Sequence, residues 1–270
     1  MILVAKSSRD FALENNMIDS HCHINDRAFV GKEKEYVEDS KKEGVDTFLV
    51  VGCDLKTSKE AVRITKEFEG CYAAIGIHPS DSKHAGKNDL EEIEKLVSNN
   101  KVVAIGEIGL DFYWDKEENI QQHQREYFIK QIELANKYNL PISIHCRDAY
   151  EECLNMLKAH PVKKGGVMHC YSGSKEMMVN FLKLGFYIGI GGTVTFKNAV
   201  KVKEVAIAVP SDRYLLETDS PYLAPTPHRG EQNHSKYIPL IAKQIAELRN
   251  VSVDQIEKET NENFKRLFNL

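Results

Sequence analysis

Met17-Ile18-Asp19-Ser20-His21-Cys22-His23 reads as a short apolar strand that ends in two imidazoles instead of glycines. A doubly wound sheet usually follows its first strand with a Gly-rich phosphate loop, and this run has none. The competing architecture is a closed (β/α)8 barrel, which gathers its functional groups at the C-terminal ends of its strands.

Working outward, seven further runs have the same nearly continuous apolar character, expected of parallel strands buried on both faces. They are Thr47–Gly52, Tyr72–His78, Val102–Leu110, Pro141–His145, Gly166–His169, Phe186–Gly191 and Arg213–Thr218. Amphipathic stretches alternate with them, predicting helices over 33–43, 57–68, 89–98, 119–138, 148–159, 175–184 and 198–208, with two more over 235–248 and 253–268. Asn88-Asp89 before Leu90, and Ser252 three residues before Gln255, read as helix caps. Eight strands alternating with helices, and no linker rich in Pro, Gly or Ser, predict an α/β fold of the TIM-barrel type. The 270 residues fit one barrel domain over 17–270. Residues 1–16 precede a second methionine and read either as a native extension or as an artificial leader, outside the functional argument.

Composition narrows the function. The chain is 42% hydrophobic and 28% charged, with a formal net charge of −4. No overall basic balance favours non-specific nucleic-acid binding, so a polyanion would be met by a local site or a bound metal. The six cysteines form no C-x-x-C pair, and no apolar run is long enough to span a bilayer. These features predict a reduced, cytoplasmic enzyme with no membrane partner.

The chemistry lies at the strand ends. Residues i and i+2 of a strand share a side, so His21 and His23 converge on one point, as a metal requires. Taken alone, His-x-His is a weak signal. Glu107, however, sits in an apolar run where a lone charge is costly. His145 closes the fifth run, His169 the sixth and Asp219 the eighth. Each could be a satisfied core group, but six such residues at the functional end of one barrel point to a metal centre. Cys22, Cys146 and Cys170 each follow a candidate ligand, and alternation turns them into the layer between strands and helices. Arg147, two residues after His145, and Arg229, in the last loop, suit phosphate recognition; a salt bridge is the alternative for each. Tyr113 and Trp114 either stack on a base or pack their loop.

His21-Cys22-His23, Gly76-Ile77-His78-Pro79, Gly106-Glu107-Ile108-Gly109-Leu110-Asp111, His145-Cys146-Arg147-Asp148-Ala149, His169-Cys170-Tyr171-Ser172-Gly173 and Glu217-Thr218-Asp219-Ser220-Pro221-Tyr222-Leu223 together resemble the TatD family of metal-dependent deoxyribonucleases, within the amidohydrolase superfamily. The resemblance runs in order from Met17 to the C-terminus. It departs after Arg229-Gly230: the family commonly continues with Asn, an acid and Pro, where this chain reads Asn233-His234-Ser235.

The resemblance implies two divalent ions, of zinc, manganese, magnesium or a similar metal. His21, His23 and Asp219 would hold one, His145 and His169 the other, and Glu107 would bridge them. It also implies that His78 contacts a substrate phosphate, although a histidine capping its loop reads similarly. The implied activity is 3′-end-directed hydrolysis of DNA or another phosphodiester by a hydroxide formed at the metal, with Asp219 and Glu107 catalytic. Two alternatives stay open: a hydrolase of carboxylic esters or amides, such as an aminoacyl-tRNA ester, and a scaffold merely stabilised by metal. Arg and His at phosphate distance favour the nuclease, and an enclosed apolar pocket the ester hydrolase.

Overall fold

In a computed structural model that describes residues 16–270, eight parallel strands pair in chain order around one sheet. They are β1 (Met17–Cys22), β2 (Val45–Val51), β3 (Cys71–Ile75), β4 (Val102–Asp111), β5 (Ile142–Arg147), β6 (Gly166–Met168), β7 (Phe186–Ile190) and β8 (Tyr214–Leu216). The last strand returns to the first. Asp219 N donates to His21 O at 2.9 Å, and His23 N donates to Ser220 O at 2.9 Å. The barrel is therefore closed by the same segments that carry three candidate ligands. Most of residues 1–16 lie outside the described residues.

The surrounding helices are α1 (Glu33–Lys42), α2 (Leu55–Glu67), α3 (Pro79–Ser82), α4 (Asp89–Leu96), α5 (Glu118–Tyr138), α6 (Tyr150–Ala159), α7 (Lys175–Lys183), α8 (Val200–Ala208), α9 (Ile238–Arg249) and α10 (Val253–Phe268). None is long and apolar enough to cross a membrane. Ser252 caps α10 as expected, its Oγ accepting from Gln255 N at 3.2 Å. Asn88 does not cap α4 with its side chain; Asp89 instead turns back and accepts from Gly86 N at 2.8 Å. At α2, the Asp54 carboxylate and Thr57 form a reciprocal capping box.

Strand alternation divides the core in two. Outward side chains such as Met17, Phe48 and Ala73 pack against the helices. Inward side chains such as Ile18, Leu49, Val103 and Leu215 meet Phe264 and Phe268 of α10, which cover the interior at the opposite end from the strand-end histidines. The hydrophobic plug thus lies at one end of the barrel, and the other end is left for polar groups.

β8 is shorter than expected, and a side chain takes the amide just past its end. Thr218 N donates to Asp19 Oδ1 at 2.9 Å, and Asp219 turns to φ 58°. Cys22 and Cys146 pack in the strand–helix layer as alternation requires. Cys170 does not. β6 has already ended at Met168, Cys170 turns to φ 44°, and its thiol comes within ligating reach of His169 and Asp219.

Candidate metal centre

The strand ends bring His21, His23, Glu107, His145, His169 and Asp219 together. His21 Nε2 lies 3.2 Å from His23 Nε2. Glu107 Oε2 faces this pair, at 3.5 Å and 3.8 Å. Asp219 Oδ1 faces it too, 3.4 Å from His23 Nε2 and 3.9 Å from His21 Nε2. The other Glu107 oxygen faces the opposite way: Oε1 lies 2.9 Å from His145 Nδ1 and 3.7 Å from His169 Nε2. His169 Nε2 is also 3.6 Å from Asp219 Oδ1. One buried carboxylate therefore stands between two groups of imidazoles.

A polar group stands behind each ring. His23 Nδ1 donates to Val51 O at 3.0 Å, since a carbonyl only accepts, and this leaves the Nε2 lone pair facing the centre. His21 Nδ1 approaches Ser143 Oγ at 3.4 Å. His145 Nε2 meets Asp111 Oδ2 at 2.9 Å, and His169 Nδ1 lies 3.0 Å from Glu217 Oε1. Acceptors behind imidazoles are the usual arrangement that orients metal-binding histidines. Gly189 makes room for Glu217, because a Cβ there would lie 2.3 Å from its Oε2.

The electrostatics call for positive charge. Burial would raise the Glu107 carboxyl, but His78, His169, His145 and His21 hold it well below the usual range. Burial opposes charge on His145, yet Asp111 and Glu107 lift it to about 9. His169 is likewise lifted to about 9 against its burial, by Glu217, Asp219 and Glu107. Buried lone pairs and carboxylates facing one point are unfavourable unless protons or a cation lie between them. Divalent ions with neutral imidazoles meet that need, so the donor set fits a metal.

A family model described as TatD related DNase matches residues 18–269. This chain belongs to the TatD-related DNase family. It is 44% identical to the uncharacterized metal-dependent hydrolase YabD of Bacillus subtilis over 255 residues, 94% of this chain and 99% of that protein. It is 33% identical to the 3′-5′ ssDNA/RNA exonuclease TatD of Klebsiella pneumoniae over 260 residues, 94% of this chain and 98% of that one. The crystal structure of the TatD homologue YJJV of Escherichia coli superposes with a TM-score of 0.90 at 30% identity, covering 96% of this chain and all of that one. The chain is accordingly a metal-dependent hydrolase.

A cleft of about 560 Å³ opens above the centre of this TatD-family barrel, with Glu107, Asp219, His78, Arg147, Trp114 and Tyr222 in its wall. His78 caps α3, its Nδ1 accepting from Ser80 N at 3.2 Å. Burial and the neighbouring His145 push its pKa down to about 3, so the ring is neutral. Its proton must then sit on Nε2, which lies 3.7 Å from Glu107 Oε1. In this tautomer His78 is a donor into the cleft, although its ring also stands with Glu107 and His145 within reach of one ion. Arg229 stands apart, its guanidinium 4.5 Å over the Phe196 ring.

The eighth loop, where the sequence departs from the family pattern, braces the same strands. Ser235 Oγ donates to Asp19 Oδ2 at 2.6 Å, and Asn233 Nδ2 donates to Thr218 O at 2.7 Å. Sequence reasoning missed the supporting roles of Asp111, Glu217 and Asp19, although all three stand within two to four residues of a candidate ligand.

Proposed function

We propose that this hydrolase is a two-ion deoxyribonuclease that removes nucleotides from the 3′ end of a DNA strand. The observation that carries the reading is the cleft over Glu107, lined mainly by polar and charged residues, with the His78 ring and the Arg147 guanidinium in its wall. Among the described residues, an enclosed apolar pocket of the kind a carboxylic-ester or amide hydrolase would use does not surround Glu107.

His21, His23 and Asp219 would hold one divalent ion, His145 and His169 the other, with Glu107 between them. Bound there, the ions would polarise the phosphodiester and lower the pKa of nearby water. The residues supply the rest. Glu107 offsets the charge of both ions. Asp219 accepts the proton of the attacking water and returns it to the leaving oxygen. Burial would raise its carboxyl, but His169, His23 and His21 hold it below the usual range, so it is ionised at neutral pH. His78 Nε2–H and Arg147 orient the phosphate oxygens. Arg229, outside the cleft, would meet a more distant phosphate. The six free cysteines support a reducing, cytoplasmic setting.

The test uses a single-stranded oligonucleotide labelled at its 5′ end, with manganese-loaded protein. A ladder shortening from the 3′ end is expected, with none in EDTA. Internal cleavage of a strand whose 3′ end is blocked would overturn the end-directed reading. Hydrolysis of carboxylic esters with every oligonucleotide left intact would overturn the nuclease reading.

A further inference from the structure

We propose that Trp114, supported by Tyr113 and Arg147, is a stacking platform for a nucleobase of the single strand whose phosphate lies over Glu107; this rests on the nuclease reading above. Trp114 is the only tryptophan of the chain and is 68% exposed at the wall of the cleft. Tyr113 beside it is also exposed, and paired Tyr and Trp rings are enriched where an apolar face meets a partner.

This exposure does not come from a slack loop. Tyr113 N and Trp114 N both donate to Asp111 Oδ1, at 3.0 Å and 3.1 Å. Asp115, just beyond, is buried and accepts from Lys83 Nζ at 2.6 Å and Gln124 Nε2 at 2.9 Å. The indole is thus held out on a backbone pinned at both ends, and a rigid surface loses less entropy on binding. The other Asp111 oxygen holds His145, so a single carboxylate fixes the spacing between platform and metal centre.

The chemistry of the patch selects its occupant. The Arg147 guanidinium carbon lies 3.8 Å from the Tyr113 ring centroid and 5.5 Å from that of Trp114. Tyr113 and Trp114 meet edge to face at 4.8 Å. A π-face beside a cation, at the wall of a phosphate cleft, matches a nucleotide: the base on the ring, the phosphate by the guanidinium. Bases within a duplex are already stacked and paired, so the platform favours an unpaired strand.

The test compares an oligothymidylate with an abasic strand of equal length. Both carry phosphorothioate linkages that resist cleavage, and the protein is metal-loaded. Binding is followed by anisotropy of a dye on the strand and by the intrinsic fluorescence of Trp114. Stacking on one base is worth ~1–3 kcal/mol, so the thymidylate is expected to bind about 5- to 150-fold tighter than the abasic strand and to quench the indole. Trp114→Ala should abolish that preference, and Trp114→Phe should restore most of it, showing that the variant surface still folds. Equal binding of both strands with unchanged indole emission, or a preference that survives Trp114→Ala, would overturn the platform alone. Failure of both strands to bind would overturn the nuclease reading and the platform with it.

Discussion

Removing Glu107 should leave both imidazole groups without their shared counter-charge. Glu107→Ala is therefore expected to lower metal content far more than Arg229→Ala, whose guanidinium rests on Phe196. Metal-to-protein ratios by mass spectrometry check this, and equal occupancy in the two variants would count against bridging. Asp219→Asn keeps one coordinating oxygen but cannot accept a proton. Turnover should fall roughly a hundredfold or more, the scale of losing a general base. If saturating manganese brings the rate back to wild type, Asp219 serves only as a ligand. Asp111→Asn disturbs the back of His145 and should weaken metal affinity about 10- to 100-fold, read by competition with a chelating dye. The residues at the centre could be read from the sequence because each histidine and Asp219 stands at the end of an apolar run and Glu107 is a charge within one. The acids behind them could not. Asp111 reaches His145 only through the pairing of β4 with β5, and cross-strand register is absent from a single sequence.

At the scale of elements, nearly continuous apolar runs marked the strands and amphipathic stretches the helices. The misplacements fall where side chains substitute for backbone. β8 ends early where Asp19 takes the Thr218 amide, and α3 forms because Pro79 and a capping His78 make one turn where the sequence reads as loop. The eighth loop offers a pH test. His234 stacks on Tyr36 with ring centroids 3.9 Å apart, and burial together with Lys236 pushes its pKa down to about 4. Its folded pKa lies below that of the unfolded chain. The neutral ring therefore stabilises the fold fully above about pH 6.5, and this contribution is lost as the pH falls towards 4. Urea midpoints should drop more steeply over that range in the wild type than in His234→Gln; parallel profiles would refute the assignment. At the opposite end of the barrel, Phe264 is buried against the inward side chains. Phe264→Ala should cost ~3–5 kcal/mol in denaturant unfolding. A change below ~1 kcal/mol would mean that α10 does not plug the barrel.

For the whole molecule, the barrel separates a hydrophobic plug at one end from a polar centre at the other, and the centre is where the closing strands meet. The barrel could be anticipated from eight strand-like runs. The open cleft could not, because it is shaped by loops whose paths depend on side chains such as Asp111 and Asp115. Chelation should abolish hydrolysis, and manganese or magnesium should restore it; undiminished turnover in a preparation shown to be metal-free would make the metal incidental. The most direct test of the central claim is anomalous diffraction from crystals of the manganese-loaded protein. Two peaks are expected roughly 3.5–4 Å apart, one on each side of the Glu107 carboxylate. A single peak, or two peaks that do not share Glu107, would contradict the two-ion account.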